Sequence, residues 1–89
     1  MNETVYVNNL NEKIQLDELR HTLYYAFSQF GGIVEIHVSK HLKKRGQAWI
    51  VYDDIKHANL AIQKMNQFKL FNKPISCTFA KQKSHIHGK

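Results

Sequence analysis

The order of patterned segments in this 89-residue chain predicts an α+β fold built as strand, helix, strand, strand, helix, strand. Three observations carry that prediction. Short runs of alternating apolar residues mark four strands, two stripes of apolar residues at helical spacing separate them, and the middle two strands follow one another across a short polar connection. Two βαβ halves of this kind close into one four-stranded antiparallel sheet with both helices on the same face, the split βαβ sandwich. The other sheet face is then open to solvent.

The first strand is expected from Thr4 to Asn8, where Val5 and Val7 alternate with Tyr6 and Asn8, and it ends in the loop Asn9-Leu10-Asn11-Glu12-Lys13. A helix follows. Leu16, Leu19, Leu23, Ala26, Phe27 and Phe30 recur at intervals of three and four, Asp17 and Glu18 suit the positive end of the helix dipole, and Gly31-Gly32 stops it. Ile33 to Lys40 alternates as a second strand, with Val34, Ile36 and Val38 on one face and Ile33, Glu35 and His37 on the other. After the basic connection His41 to Arg45, a third strand is expected from Gly46 to Tyr52. Ala48, Ile50 and Tyr52 share its inner face, and Gln47, Trp49 and Val51 share the opposite one. Ala58, Ala61, Ile62 and Met65 mark the second helix, led in by Asp53 or Asp54 as a cap, and Ile75 to Lys81 reads as the fourth strand after Asn72-Lys73-Pro74. Residues 1–83 form one domain in this reading, and 84–89 form a loosely held polar tail.

A chain of this length has one core and buries only roughly 60–65% of its unfolded surface. With 43% hydrophobic residues, one Pro and four Gly, the body is expected to fold. Cys77 is the only cysteine, which excludes an internal disulfide and fits a reducing compartment. The stretch Met1 to Val5 does not read as a signal peptide, and no apolar run approaches the roughly 20 residues needed to span a bilayer. An intracellular protein without a membrane partner is expected.

Thirteen Lys and Arg against seven Asp and Glu give a net charge of +6 and a pI near 9.6. The distribution says more than the total. Lys40, Lys43, Lys44 and Arg45 lie within six positions, whereas Asp17, Glu18, Asp53 and Asp54 lie in two separate places. Positive charge focused on one loop is the footprint of an anion or nucleic-acid binder. On the open face, Tyr6 and Trp49 are expected side by side, because the first and third strands are central neighbours. Two exposed aromatics flanked by Asn8, Gln47 and a basic loop are what stacking and edge-reading of unpaired bases require.

The run Arg45-Gly46-Gln47-Ala48-Trp49-Ile50-Val51-Tyr52 resembles the eight-residue ribonucleoprotein motif, and Val5-Tyr6-Val7-Asn8-Asn9-Leu10 resembles its six-residue companion. Together they resemble an RNA recognition motif, whose fold is the ferredoxin-like βαββαβ sandwich. One departure is Gln47, an amide where that motif usually carries an aromatic ring. Over nearly the whole chain, Asn8 to Ile14, Phe27 to Gly31, Arg45 to Ala48, Lys73-Pro74 and Ala80-Lys81 are similar, at similar spacing, to the first recognition motif of the spliceosomal A and B-double-prime proteins.

That resemblance implies binding to the single-stranded loop of a hairpin in U1 or U2 small nuclear RNA, in the nucleus, as part of the splicing machinery. It implies that Tyr6 and Trp49 stack bases, that Asn8, Asn9, Glu12, Lys13 and Gln47 contact base edges or backbone, and that Lys40, Lys43, Lys44 and Arg45 belong to a loop pushed through the hairpin. Gln47-Ala48-Trp49 and Met65 to Phe68 resemble the U2-bound branch slightly more, whose members bind beside a leucine-rich-repeat protein through the helical face. Leu42 is either a wedge in the RNA loop or a packing residue at the strand end. Thr78, Lys81, Gln82 and Ser84 are further contact candidates at the sheet edge, although Lys83 and His85 stand where the family carries acidic residues.

Other chemistry is poorly supported. His85, His87 and Cys77 do not supply the four converging ligands of a structural zinc site, so no metal or cofactor is expected. Tyr24 and Tyr25 are expected to divide between core edge and surface. Acylphosphatases share the topology, but Asn9 to Lys13 is not the Gly-rich anion cradle they need, and no nucleophile with a base stands out, so an enzyme is not expected. A protein-interaction module of the same fold would typically lack Tyr6 and Trp49.

Overall fold

The computed structural model describes residues 2–41 and 45–81. β1 spans Thr4–Asn8, α1 Leu16–Phe27, β2 Ile33–Val38, β3 Ala48–Tyr52, α2 Ile55–Met65, β4 Lys69–Leu70, β5 Lys73–Pro74 and β6 Ser76–Phe79. The main sheet has the order β2-β3-β1-β6 with every neighbouring pair antiparallel. Both motif-bearing strands, β1 and β3, are therefore central.

Strand alternation fills one face of this sheet. Val5 and Val7 of β1, Ala48, Ile50 and Tyr52 of β3, and Cys77 of β6 are buried, and they meet Leu19, Leu23 and Phe27 of α1 and Ala58, Ala61 and Met65 of α2. Burial of such side chains is the main source of stability in a domain this small. The Tyr52 hydroxyl donates a buried 2.6 Å hydrogen bond to the Phe27 carbonyl, joining the end of β3 to the end of α1.

α1 ends earlier than its apolar stripe. Phe30 is carried by a 3-10 turn, Ser28–Phe30, and still packs on the core. Leu16, at the first position of α1, is 36% exposed. Gly31 closes the turn with φ +156°, and a Cβ there would lie 2.2 Å from Cγ of His57, so only glycine fits. Of the two cap candidates, Asp54 is the cap of α2, accepting from Lys56 N at 2.8 Å. Asp53 instead meets Nδ1 of His57 at 2.7 Å.

Four expectations need correction. Tyr24 and Tyr25, expected to divide between core edge and surface, are both exposed, at 53% and 80%. β2 carries an irregularity between Ile33 and Glu35, which shifts its alternation by one residue. Ile33 consequently packs on the core, and Val34, expected with Ile36 and Val38, is 61% exposed. β6 is confined to Ser76–Phe79 instead of running from Ile75 to Lys81, and the strand expected from Gly46 begins at Ala48. The short β4–β5 hairpin has no counterpart in the sequence reading. Its turn residues Phe71 and Asn72 both have positive φ, 50° and 68°, a conformation more often given to Asn-Gly or Asp-Gly.

Candidate nucleic-acid interface

On the face away from the helices, strand register lines up four side chains in one row. His37 of β2 is the partner of Trp49 in β3, Trp49 is the partner of Tyr6 in β1, and Tyr6 is the partner of Thr78 in β6. The Tyr6 and Trp49 rings have centroids 5.5 Å apart and planes tilted by 46°. His37 and Trp49 repeat this relationship at 5.6 Å and 43°. Thr78 and His37 are exposed, and Tyr6 and Trp49 are partly so. The face is not open along its whole length: Thr4 and Val51, opposite one another, are only 2% and 6% exposed. At that end the Asn2 amide donates to the Ala80 carbonyl while its oxygen accepts from Thr4 N, tying the start of β1 to the end of β6.

The other end of the row is polar and basic. Asn8 ends β1, exposed, and its Oδ1 accepts from Asn9 N at 2.8 Å. Asn9 has φ +64°, and its Nδ2 donates to the Pro74 carbonyl. The Asn11 amide donates to the Phe71 carbonyl, and Asn11 Oδ1 accepts from Lys13 N. The β1–α1 loop is thus pinned on the β4–β5 hairpin by side chains that also present unused acceptors and donors.

The same loop holds the exit of the basic connection. Arg45 donates to the Glu12 carbonyl at 2.9 Å and lies 3.7 Å from the Glu12 carboxylate. Both side chains are about half exposed, so this ion pair contributes little to stability and is easily exchanged. Leu10 N donates to the Gly46 carbonyl, and Gly46 has φ +76° with Leu10 O only 3.1 Å from where a Cβ would stand. The positive φ favours glycine there, and a Cβ would crowd the Leu10 carbonyl. Gln47 is partly buried, and its carbonyl accepts from Ser39 N, which carries the β2–β3 pairing one step beyond the strands. Lys13, Arg45 and Lys73 line one crevice at this end, and Lys13, Lys40 and Arg45 line the next.

A row of rings on an open sheet, with cations at one end, is suited to holding a flexible polyanion with planar groups. The sequence matches the profile of the RNA recognition motif family over residues 5–76. The chain belongs to this family. Over 88 residues it is 44% identical to the U1 small nuclear ribonucleoprotein A of Drosophila melanogaster, covering 99% of this chain and 41% of that protein. It is 47% and 41% identical over the same length to the U2 small nuclear ribonucleoproteins B'' of Dictyostelium discoideum and Arabidopsis thaliana, covering 36% and 38% of them. The chain thus spans about two fifths of the curated relatives it matches.

In this recognition motif, most of the candidate contact residues fall into two groups. Tyr6, Trp49 and Thr78 share the row across the sheet, while Asn8, Asn9, Glu12, Lys13, Lys40, Arg45 and Gln47 gather at one end of it. Lys81 does not join them: it follows Ala80, which bonds to Thr4, and so lies at the opposite end of β1. Leu42, Lys43, Lys44, Gln82 and Ser84 lie outside the described residues, as do His85 and His87. Two residues were not singled out from the sequence. Lys73 reaches the crevice only through the β4–β5 hairpin, and His37 meets Trp49 only through the β2–β3 register. Among the described residues no three His, Cys, Asp or Glu are placed to hold a metal ion, and no helix is long and apolar enough to cross a membrane.

Proposed function

We propose that this recognition motif binds the unpaired loop of a small nuclear RNA hairpin, from U1 or U2 RNA, as part of a splicing particle in the nucleus, and that it performs no catalytic step. The observation that carries this reading is the Tyr6–Trp49 pair, partly exposed on central strands and flanked by Lys13, Lys40 and Arg45. Two bases stack on the two rings. Asn8, Asn9 and Gln47 read base edges, Glu12 and Lys13 act at the loop margin, and Arg45 leaves Glu12 to donate in a bidentate way to a guanine or a phosphate at the top of the stem. Lys40, Leu42, Lys43 and Lys44 supply the loop that enters the hairpin, and Thr78, Lys81, Gln82 and Ser84 supply edge contacts. The kinship with both U1 A and U2 B'' proteins supports this assignment and leaves the two hairpins as the natural candidates.

A leucine-rich-repeat partner is proposed on the side of α1 and β2. There Tyr24 and the bulged-out Val34 are exposed beside Arg20 and Glu35 in a shallow groove, and Tyr25 is 80% exposed nearby. A gel-shift panel with the U1 and U2 hairpins, with and without such a partner, tests both parts. Binding to at least one hairpin, at least tenfold tighter than to a duplex of the same length, supports the RNA assignment. Equal binding to hairpin and duplex overturns it.

A further inference from the structure

We propose that His37 is a third stacking position, which carries the bound RNA one nucleotide beyond Trp49 onto the outer strand β2. This rests on the RNA reading above and extends its footprint. The register is the first support. His37 and Tyr6 are both direct partners of Trp49, one on each side, so three rings project from one face on three successive strands. The spacing is the second. Centroid distances of 5.6 and 5.5 Å and tilts of 43° and 46° make the two steps nearly equal, close to the strand spacing itself. At such distances and tilts the rings touch without covering one another's faces, so each keeps surface for a base. His37 is the most open of the three.

Charge sets the direction of the path. Glu35, two residues before His37 on the same face and opposite Val51, would repel a phosphate. In the other direction β2 leads through Ser39 to Lys40, which lines a crevice with Lys13 and Arg45. A strand of RNA whose bases lie over Tyr6, Trp49 and His37 therefore leaves toward the basic connection. An imidazole is suited to this end position, because it offers a π face to a base and ring nitrogens to a base edge or a 2′-hydroxyl.

The test is fluorescence anisotropy with labelled U1 and U2 hairpins, on wild type, His37→Ala, His37→Phe, Tyr6→Ala and Trp49→Ala, with melting curves for each. His37→Ala is expected to weaken the better hairpin about 5- to 20-fold. His37→Phe, which restores a ring, is expected to stay within about threefold of wild type. Scanning the loop with abasic nucleotides should find one position whose loss costs wild type the same factor but costs His37→Ala less than twofold. Affinity of His37→Ala within twofold of wild type, while Tyr6→Ala and Trp49→Ala bind weakly, overturns the role of His37 and leaves the RNA reading standing. Equal weakness of the Ala and Phe variants overturns stacking as its mechanism. Wild-type affinity in Tyr6→Ala and Trp49→Ala overturns the aromatic row as a whole.

Discussion

Tyr6 and Trp49 face each other across the two central strands of the sheet, their ring centroids 5.5 Å apart and their planes tilted by 46°. Neither ring is needed to close the core, which is filled from the opposite face by Val5, Val7, Ala48 and Ile50. Trp49→Ala is therefore expected to spare folding and to weaken hairpin binding. At about 1–3 kcal/mol per stacked base, the loss should be roughly 5- to 150-fold. Isothermal titration against the hairpin, beside a melting curve, checks both halves. Affinity within twofold of wild type would rule out stacking on this ring.

Arg45 is held in place by Glu12, through a 2.9 Å bond to its carbonyl and a looser 3.7 Å approach to its carboxylate. The contact positions the guanidinium at the mouth of the crevice with little energy at stake. Arg45→Lys keeps the charge but loses the planar fork, and it is expected to weaken hairpin binding at least tenfold with the salt dependence unchanged. Arg45→Ala should also lower the slope of log K against log salt by about 0.7–1, the amount of one phosphate contact. Titrations between about 50 and 200 mM salt separate the two effects.

Much of this fold is legible in the alternation of Val5 with Val7 and of Ala48 with Ile50 and Tyr52, because a strand with one buried face must repeat every second residue. The side-by-side placement of Tyr6 and Trp49 follows from the same period once the strand order is recognised. Val34 escapes that logic. An irregularity of one residue in β2 reverses its face, and nothing in Ile33-Val34-Glu35 announces it. The β4–β5 hairpin escapes for a related reason, since Phe71-Asn72 adopts a turn that glycine pairs usually signal. His37 could be assigned to the outer face from the sequence, yet its contact with Trp49 depends on the exact β2–β3 register. Lys73 depends on a hairpin two residues wide on each side.

Tyr52 is buried on the helix side, and its hydroxyl bonds to the Phe27 carbonyl at 2.6 Å. Tyr52→Phe removes the donor and leaves that carbonyl without this partner in a dry site, at a cost of about 1–2 kcal/mol. For a domain of this size the melting temperature should fall by roughly 4–16 °C. The hydroxyl lies behind the sheet, away from the aromatic row, so hairpin affinity should not change. A variant that melted like wild type would show the bond to be dispensable.

Alkaline pH should reveal the same buried layer. Burial pushes the Cys77 thiol from its ordinary 9.0 up to about 12. Burial, and secondarily the neighbouring Cys77, pushes the Tyr52 phenol well above its ordinary 10.0. In both groups the folded protein favours the neutral, protonated form. Their contribution is fully present below pH 9. Above it the unfolded chain releases protons that the folded chain retains, so the free energy of unfolding falls, first through Cys77 and then through Tyr52, by at most about 1.4 kcal/mol per pH unit for each group. Denaturant melts at pH 8, 9, 10 and 11 should show a flat region followed by a decline. Cys77→Ala should lose the part of the decline that begins near pH 9, and Tyr52→Phe the part that begins near pH 10. The native thiol should also resist alkylation at pH 8, where it is protonated and only 1% exposed, and react readily once the chain is unfolded. Stability that stayed level to pH 11 in the wild type would mean that neither group is as well buried as its packing against the helices implies.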